Sequence, residues 1–277
     1  MATYYKPQSP IQSGEDFIYP ITTADQIMKS DKSRRLEQAG LIVADNSTRL
    51  GGKAPEYYIQ PRNLLDNGDF SNLIAQAGLN GTHGSTTYIA DRWISPGASA
   101  TQQNGYTTLS TTQKTGRITQ KLLDALAGKT VTAAAKVSGN SIVYCGIYYI
   151  QNSASKSIAV SVSAPNGIIM KSGTIPADAT DIEFRIYIAY TDGGGSCNVY
   201  WAALYEGAYT DDTLPPYVPK GYAAEMMECQ RYYHLYATSA ARPLNGLDCC
   251  PPMRINGVTQ GTTTVDGETR YYNSADL

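Results

Sequence analysis

The stretch NLLDNGDF, residues 63–70, gathers Asp66, Asn67 and Asp69 within four positions. Carboxylate and amide oxygens are the hard ligands that calcium prefers, which makes Asp66 and Asp69 candidate calcium ligands. The same residues also suit a plain turn in which Asn67 and Gly68 supply a permissive backbone. The residues alone leave both readings open. The two histidines, His83 and His234, lie in polar or aromatic settings, away from any GxSxG or cysteine-based nucleophile signature. The sequence holds no HExxH, no P-loop and no GxGxxG after a strand. DGGGS, residues 192–196, is Gly-rich but falls between two strand-like runs, with no helix to offer its N-terminus to a phosphate. Asp and Glu are spread over many strands without singling out the carboxylate pair of a glycosidase. No catalytic constellation emerges, and the expectation is a non-enzyme.

The five cysteines, Cys145, Cys197, Cys229, Cys249 and Cys250, are odd in number, and their spacing fits neither a disulfide framework nor a zinc site. They read as reduced thiols. Aromatic content is lopsided, with 22 Tyr against 3 Phe and 2 Trp. A tyrosine joins an apolar ring to a hydrogen-bonding tip, which suits half-wet surfaces such as subunit interfaces and sugar-contacting faces, and equally suits solvent-facing strand positions. Trp93 and Trp201 have apolar flanks that favour core plugs over sugar platforms. Trp201 shares a strand face with Val199, Ala203 and Tyr205, while Tyr200, Ala202 and Leu204 make the opposite face nearly as apolar. That strand is expected to be covered on both sides.

The elements that would position these residues follow from pattern. A net charge of −2 offers no basic stripe for a phosphate backbone, which argues against nucleic acid as a partner. No apolar run approaches the roughly 20 residues of a membrane span. The opening residues lack a basic region followed by an apolar one, so the expectation is a chain made in a cytoplasm without a signal peptide. Residues 1–62 form a polar, Pro-containing leader. Thr23 and Gln26 could make a capping box there, or MKSDKSRRL a hairpin. Neither supplies an apolar face, so the leader is expected to be ordered by a partner or by its own copies.

At residue 63 the character changes, and NLLDNGDF reads as the first strand of a sandwich spanning 63–209. In TVTAAAKV, Val131, Ala133, Ala135 and Val137 share one face. In SIAVSVS, Ile158, Val160 and Val162 do. In DIEFRIYIAY, Ile182, Phe184, Ile186, Ile188 and Tyr190 oppose Glu183, Arg185, Tyr187 and Ala189. Period-two alternation marks strands with one buried side. SIVYCGIYYI is apolar throughout and predicts a strand covered on both faces. Strands at short intervals without intervening helices make an all-β, antiparallel sandwich. Residues 210–277 add a short helix and C-terminal hairpins. Tyr222, Met226, Cys229, Tyr233 and Tyr236 recur at helical spacing, which predicts Met226 on the packed side and Glu225 on the polar one. RINGVT and TVDGET carry the hairpin dipeptides Asn256-Gly257 and Asp266-Gly267.

The ordered set TRLGGKAPEYY, NLLDNGDF, YIADRW, GRITQKL, LAGKTVTAAAKV, VYWAALYEG, PYVPKGYAAEMMECQRYYHLY and PPMRINGVT resembles phage and prophage tail-fibre or receptor-binding proteins, with 63–209 similar to a carbohydrate-binding-module jelly roll. The resemblance implies attachment and trimerisation through the leader, docking onto other tail proteins, a homotrimer in the virion tail, and binding of host-surface glycans. It raises the weight on Asp66 and Asp69 as a structural calcium site, and it implies no residue-level sugar site. Two rival readings are a structural tail protein without a ligand and a surface depolymerase.

Overall fold

Alternating runs become facing sheets in the computed structural model, which describes residues 11–13, 16–18, 61–83, 86–189, 194–244, 246–254 and 257–275. The chain divides into two compact units, Met1–Gln60 and Pro61–Leu277. In the first, β1 (Ile11–Ser13) pairs antiparallel with β2 (Asp16–Ile18). The capping box at Thr23, the hairpin through 28–36 and Tyr190 lie outside the described residues.

The second unit is an antiparallel β-sandwich of jelly-roll type with a small C-terminal sheet in the same unit. Its strands in chain order are β3 (Thr82–His83), β4 (Thr86–Ala90), β5 (Trp93–Ile94), β6 (Ser99–Gln103), β7 (Tyr106–Thr111), β8 (Thr115–Lys121) and β9 (Thr130–Gly139). After these come β10 (Ile142–Gln151), β11 (Ala154–Ser163), β12 (Asn166–Thr174), β13 (Thr180–Ala189) and β14 (Gly195–Glu206). One sheet has seven strands in the order β11-β10-β13-β8-β5-β4-β3, and the facing one has five in the order β12-β9-β14-β7-β6. From β8 to β14 the chain passes back and forth between them, apart from the β10–β11 hairpin within the seven-stranded sheet.

The predicted inward rows hold. Val131, Ala133, Ala135 and Val137 of β9 and Ile182, Phe184, Ile186 and Ile188 of β13 are buried, and Ile158, Val160 and Val162 of the edge strand β11 pack against them. Trp93 is fully buried, edge-on to Phe70 at 5.1 Å and Phe184 at 5.9 Å between ring centroids, with its indole N–H donating to the Asn67 carbonyl at 2.7 Å. Burying a large apolar side chain of this kind contributes on the order of 2–3 kcal/mol.

Three expectations for the sandwich need correction. NLLDNGDF is not a strand: only two isolated main-chain bonds tie it to β14, Leu64 N–H to the Leu204 carbonyl and Ala202 N–H to the Gly68 carbonyl, both at 2.9 Å, and side chains satisfy much of the rest. The Gln120 amide accepts from the Asp66 N–H at 2.9 Å and donates to the Asp66 carbonyl at 2.7 Å. Asn63 likewise accepts from Leu204 N–H at 2.9 Å and donates to the Ala202 carbonyl at 3.1 Å. Asn67 takes φ 55°, and a Cβ on Gly68 would lie 2.6 Å from the Ala202 carbonyl oxygen. Only β10's inner row is fully covered: Val143, Cys145, Ile147 and Tyr149 are buried, whereas Tyr144, Tyr148 and Ile150 are half-exposed. Two of the outer-row residues are tyrosines, whose hydroxyl tip tolerates water. In β14 a bulge between Val199 and Trp201 reverses the alternation. Val199, Ala202 and Leu204 enter the main core, and Trp201, Ala203 and Tyr205 face outward. There Leu214 and Tyr217 cover them, with Trp201 and Tyr217 stacked at 4.9 Å. The strand is covered on both sides as expected, but with different residues on each.

Helix α1 (Tyr222–Gln230) leads into β15 (Tyr233–Tyr236), which pairs with β17 (Glu268–Ser274), itself paired with β16 (Thr259–Val265). Asp266 and Gly267, both at positive φ, turn the β16–β17 hairpin. The buried residues of α1 are Glu225 and Cys229, one turn apart, while Met226 is half-buried and Tyr222 is 57% exposed. Of the expected stripe Cys229 and Tyr233 are buried, whereas Glu225, expected on the polar side, is buried in place of Tyr222 and Met226. The physical reason is that α1 docks on polar groups. Glu225 accepts the Asn67 backbone N–H, and Lys220 donates to the Leu65 carbonyl at 2.8 Å and to Glu228 at 2.5 Å.

Candidate functional site

Three adjacent strands, β10, β13 and β8, supply a grid of side chains on the outer face of the seven-stranded sheet. Register places Tyr144 opposite Tyr187 and Tyr187 opposite Arg117. The next row holds Gly146, Arg185 and Thr119, and the third Tyr148, Glu183 and Lys121. β11 extends the rows with Ser161, Ala159 and Ser157. A Cβ on Gly146 would come within 2.6 Å of the Ala159 Cβ, so glycine lets the edge strand close up. Along β10 itself Gly146 leaves a gap between Tyr144 and Tyr148, which are about 13 Å apart along the strand.

The polar groups in this grid are fixed. The Arg185 guanidinium lies 4.5 Å from the Tyr148 ring centroid, and its Nε donates to Glu183 Oε2 at 2.8 Å. The Thr119 hydroxyl donates to the same carboxylate oxygen at 2.9 Å. Tyr144 and Tyr187 meet edge to face at 5.3 Å. Burial raises the Tyr148 phenol above its ordinary range, partly offset by the Arg185 charge, so Tyr148 is a neutral donor and acceptor at physiological pH. Among the described residues the buried Nε of Arg117 has no hydrogen-bond partner. Half-exposed aromatic faces beside held charges can stack an apolar ring face and bond the hydroxyls around it.

A cleft of about 280 Å³ opens beside Arg185, Glu183 and Lys121. Lys121 also lines a second of about 260 Å³, with Asp181 and Arg254, and a third of about 350 Å³ that reaches Arg92 and Tyr232. Lys121 thus joins the sheet face to a groove beside α1.

The residues singled out in the sequence lie elsewhere. Asp66 pairs with Arg92 at 3.0 Å, and Asp69 accepts from the backbone N–H of Ser71 at 3.0 Å and from its hydroxyl at 2.5 Å. These partners fit an internal turn better than calcium ligands. Among the described residues no three His, Cys, Asp or Glu side chains form a metal-holding group. His83 pairs through its backbone in β3. His234 stacks on Tyr236 at 4.4 Å, and burial lowers its pKa. None of the five cysteines is in a disulfide, and only Cys250 is exposed. Burial pushes the Cys197 thiol up to about 12 and Cys145 higher still, so neither is a nucleophile. Sequence reasoning missed Tyr144, Tyr148 and Arg185 as a group, although the alternation of DIEFRIYIAY had already placed Glu183, Arg185 and Tyr187 together on the outer side.

No family model and no curated protein matches the chain. Among solved structures it is similar to the enzymatically active domain of tailspike protein 4 of bacteriophage CBA120, at 13% identity and TM-score 0.37, covering 52% of this chain and 21% of that one. It is also similar to the C-terminal family 22 carbohydrate-binding module of Clostridium thermocellum Xyn10B, at 20% identity and TM-score 0.32, covering 42% and 85%. A third is TmCBM61 in complex with β-1,4-galactotriose, at 12% identity and TM-score 0.35, covering 53% and 99%.

Proposed function

We propose that this chain is a non-catalytic glycan-binding protein whose sugar lies on the outer face of the seven-stranded sheet. One observation carries the reading: Tyr148 is stacked under Arg185, whose partner Glu183 is held by Thr119, on a half-exposed face that also presents Tyr144 and Tyr187. Sugar rings have apolar C–H faces and hydroxyl edges. The tyrosines take the faces, and Arg185, Glu183 and the serines of β11 take the edges. Because these groups are already held by one another, little side-chain entropy is lost on binding.

In the finer form of this reading the chain is a tail-fibre or receptor-binding protein of a phage or prophage. The motif order that resembles such proteins supports it. Residues 1–60 then join the chain to its tail and to two sister copies, and weak contacts at several sheet faces add up to firm attachment. Retention on a glycan array tests the binding claim. Wild type retains a defined glycan set, Tyr148→Ala loses it, and retention of the same set by both proteins contradicts the placement of the site.

A further inference from the structure

The groove beside α1 is not needed to stack a neutral sugar, yet its charges are uneven. Arg62, Arg92, Arg231, Arg254 and Lys121 line it against two carboxylates, Asp66 and Glu228. Both carboxylates are already engaged, Asp66 by Arg92 at 3.0 Å and Glu228 by Arg62 at 3.1 Å and Lys220 at 2.5 Å. Among the described residues Lys121, Arg231 and Arg254 have no ion-pair partner. Tyr232 holds two of the guanidinium groups, Arg92 at 3.5 Å from its ring centroid and Arg254 at 5.7 Å. An aromatic ring attracts a guanidinium through its quadrupole without neutralising it, so the positive charge is kept and oriented. Arg92 is 5% exposed, which weakens the screening of its charge. The lining also includes the apolar Leu122, Leu126 and the half-exposed Leu123.

A concave site with spare guanidinium forks and apolar lining residues suits an oxyanion carried on a partly apolar body. Guanidinium binds carboxylate and phosphate through paired N–H donors. We propose that this groove binds the acidic residue of a glycan, a carboxylate- or phosphate-bearing sugar, whose neutral neighbours extend past Lys121 onto the sheet face. The ligand class is therefore an anionic polysaccharide. The proposal rests on the glycan-binding reading above and adds the charge of the ligand to it. Asp181 and Glu183 line the adjoining cleft with Lys121 and Arg254 but do not line the α1 groove, which favours an anion in the latter.

The full chain is tested on an array with three arms: neutral, carboxylated and phosphorylated glycans. The expected result is retention in an acidic arm that weakens as salt rises past about 0.15 M, where the Debye length is about 8 Å. Arg231→Gln with Arg254→Gln should lower affinity for those glycans roughly tenfold or more while neutral retention stays as in wild type. If the double variant melts early, Arg231→Gln alone, at an exposed position, carries the same comparison. Retention of neutral glycans only, unaffected by either variant, overturns the anionic proposal and leaves the sheet-face reading standing. Retention of no glycan overturns both.

Discussion

Asn67 determines how the loop at the end of the sandwich is built. Its amide donates to the Ile74 and Asp91 carbonyls at 2.8 Å each and accepts from Ile74 N–H at 2.9 Å, while its own carbonyl receives the Trp93 indole. It is fully buried and holds φ 55°. Asn67→Ala strips partners from three buried groups and puts alanine in the left-handed region, so urea unfolding should show a loss of about 3 kcal/mol or more. Because Asp66 and Asp69 spend their carboxylates on Arg92 and Ser71, EDTA should leave the melting temperature unchanged, and a fall on chelation would restore the calcium reading. Glu225 supplies a pH signature. Burial raises its pKa, partly offset by Lys220 at 3.9 Å and by the Asn67 N–H bond. A carboxyl with a raised folded-state pKa binds its proton more tightly in the native chain. Its contribution to stability is therefore present at acid pH and falls as pH rises from the ordinary glutamate range through the raised value. Glu225→Gln should remove that term, so the stability of wild type minus variant should decline with rising pH over this window. A difference that is flat with pH would show that Glu225 is not buried against Asn67.

The bulge in β14 decides which aromatic group closes the five-stranded sheet. It turns Trp201 outward onto Tyr217, with the rings 4.9 Å apart and 4° from parallel. Tyr217→Ala should uncover Trp201, shifting its fluorescence to the red and lowering stability by about 1–3 kcal/mol, whereas Trp93 in the core should not respond. An unshifted spectrum would place Trp201 back in the main core. The bulge was not legible in the sequence, because it reflects how β14 meets β9 and β7, and nothing in VYWAALYEG marks it. The inward rows of β9, β11 and β13 were legible, since there a period of two faces a single buried layer. The α1 stripe misled for a different reason. Cys229 of the stripe is buried, but so is Glu225, which accepts the Asn67 backbone N–H, so apolar spacing alone did not identify the packed side. The candidate site was half legible: alternation paired Glu183 with Arg185 and Tyr187, but Tyr144 and Tyr148 sat in a run that looked apolar on both faces, and only the β10–β13 register brings the two sets together.

The whole molecule divides into the units Met1–Gln60 and Pro61–Leu277. Residues 61–277 expressed alone should melt cooperatively near the full-length value and sediment as a monomer, with the full chain sedimenting as a trimer. An unfolded truncated chain would show that the leader belongs to the sandwich. The proposal that glycan lies on the face bearing Tyr144, Tyr148 and Arg185 is open to direct measurement. Affinity electrophoresis tests it most directly, with the full chain run through gels containing surface polysaccharides from a panel of bacteria. Wild type should be retarded by at least one polysaccharide, and Tyr144→Ala with Tyr148→Ala should run at its free mobility in that gel while keeping an unchanged melt. Equal retardation of the folded double variant, or free migration of wild type through every polysaccharide, would contradict it.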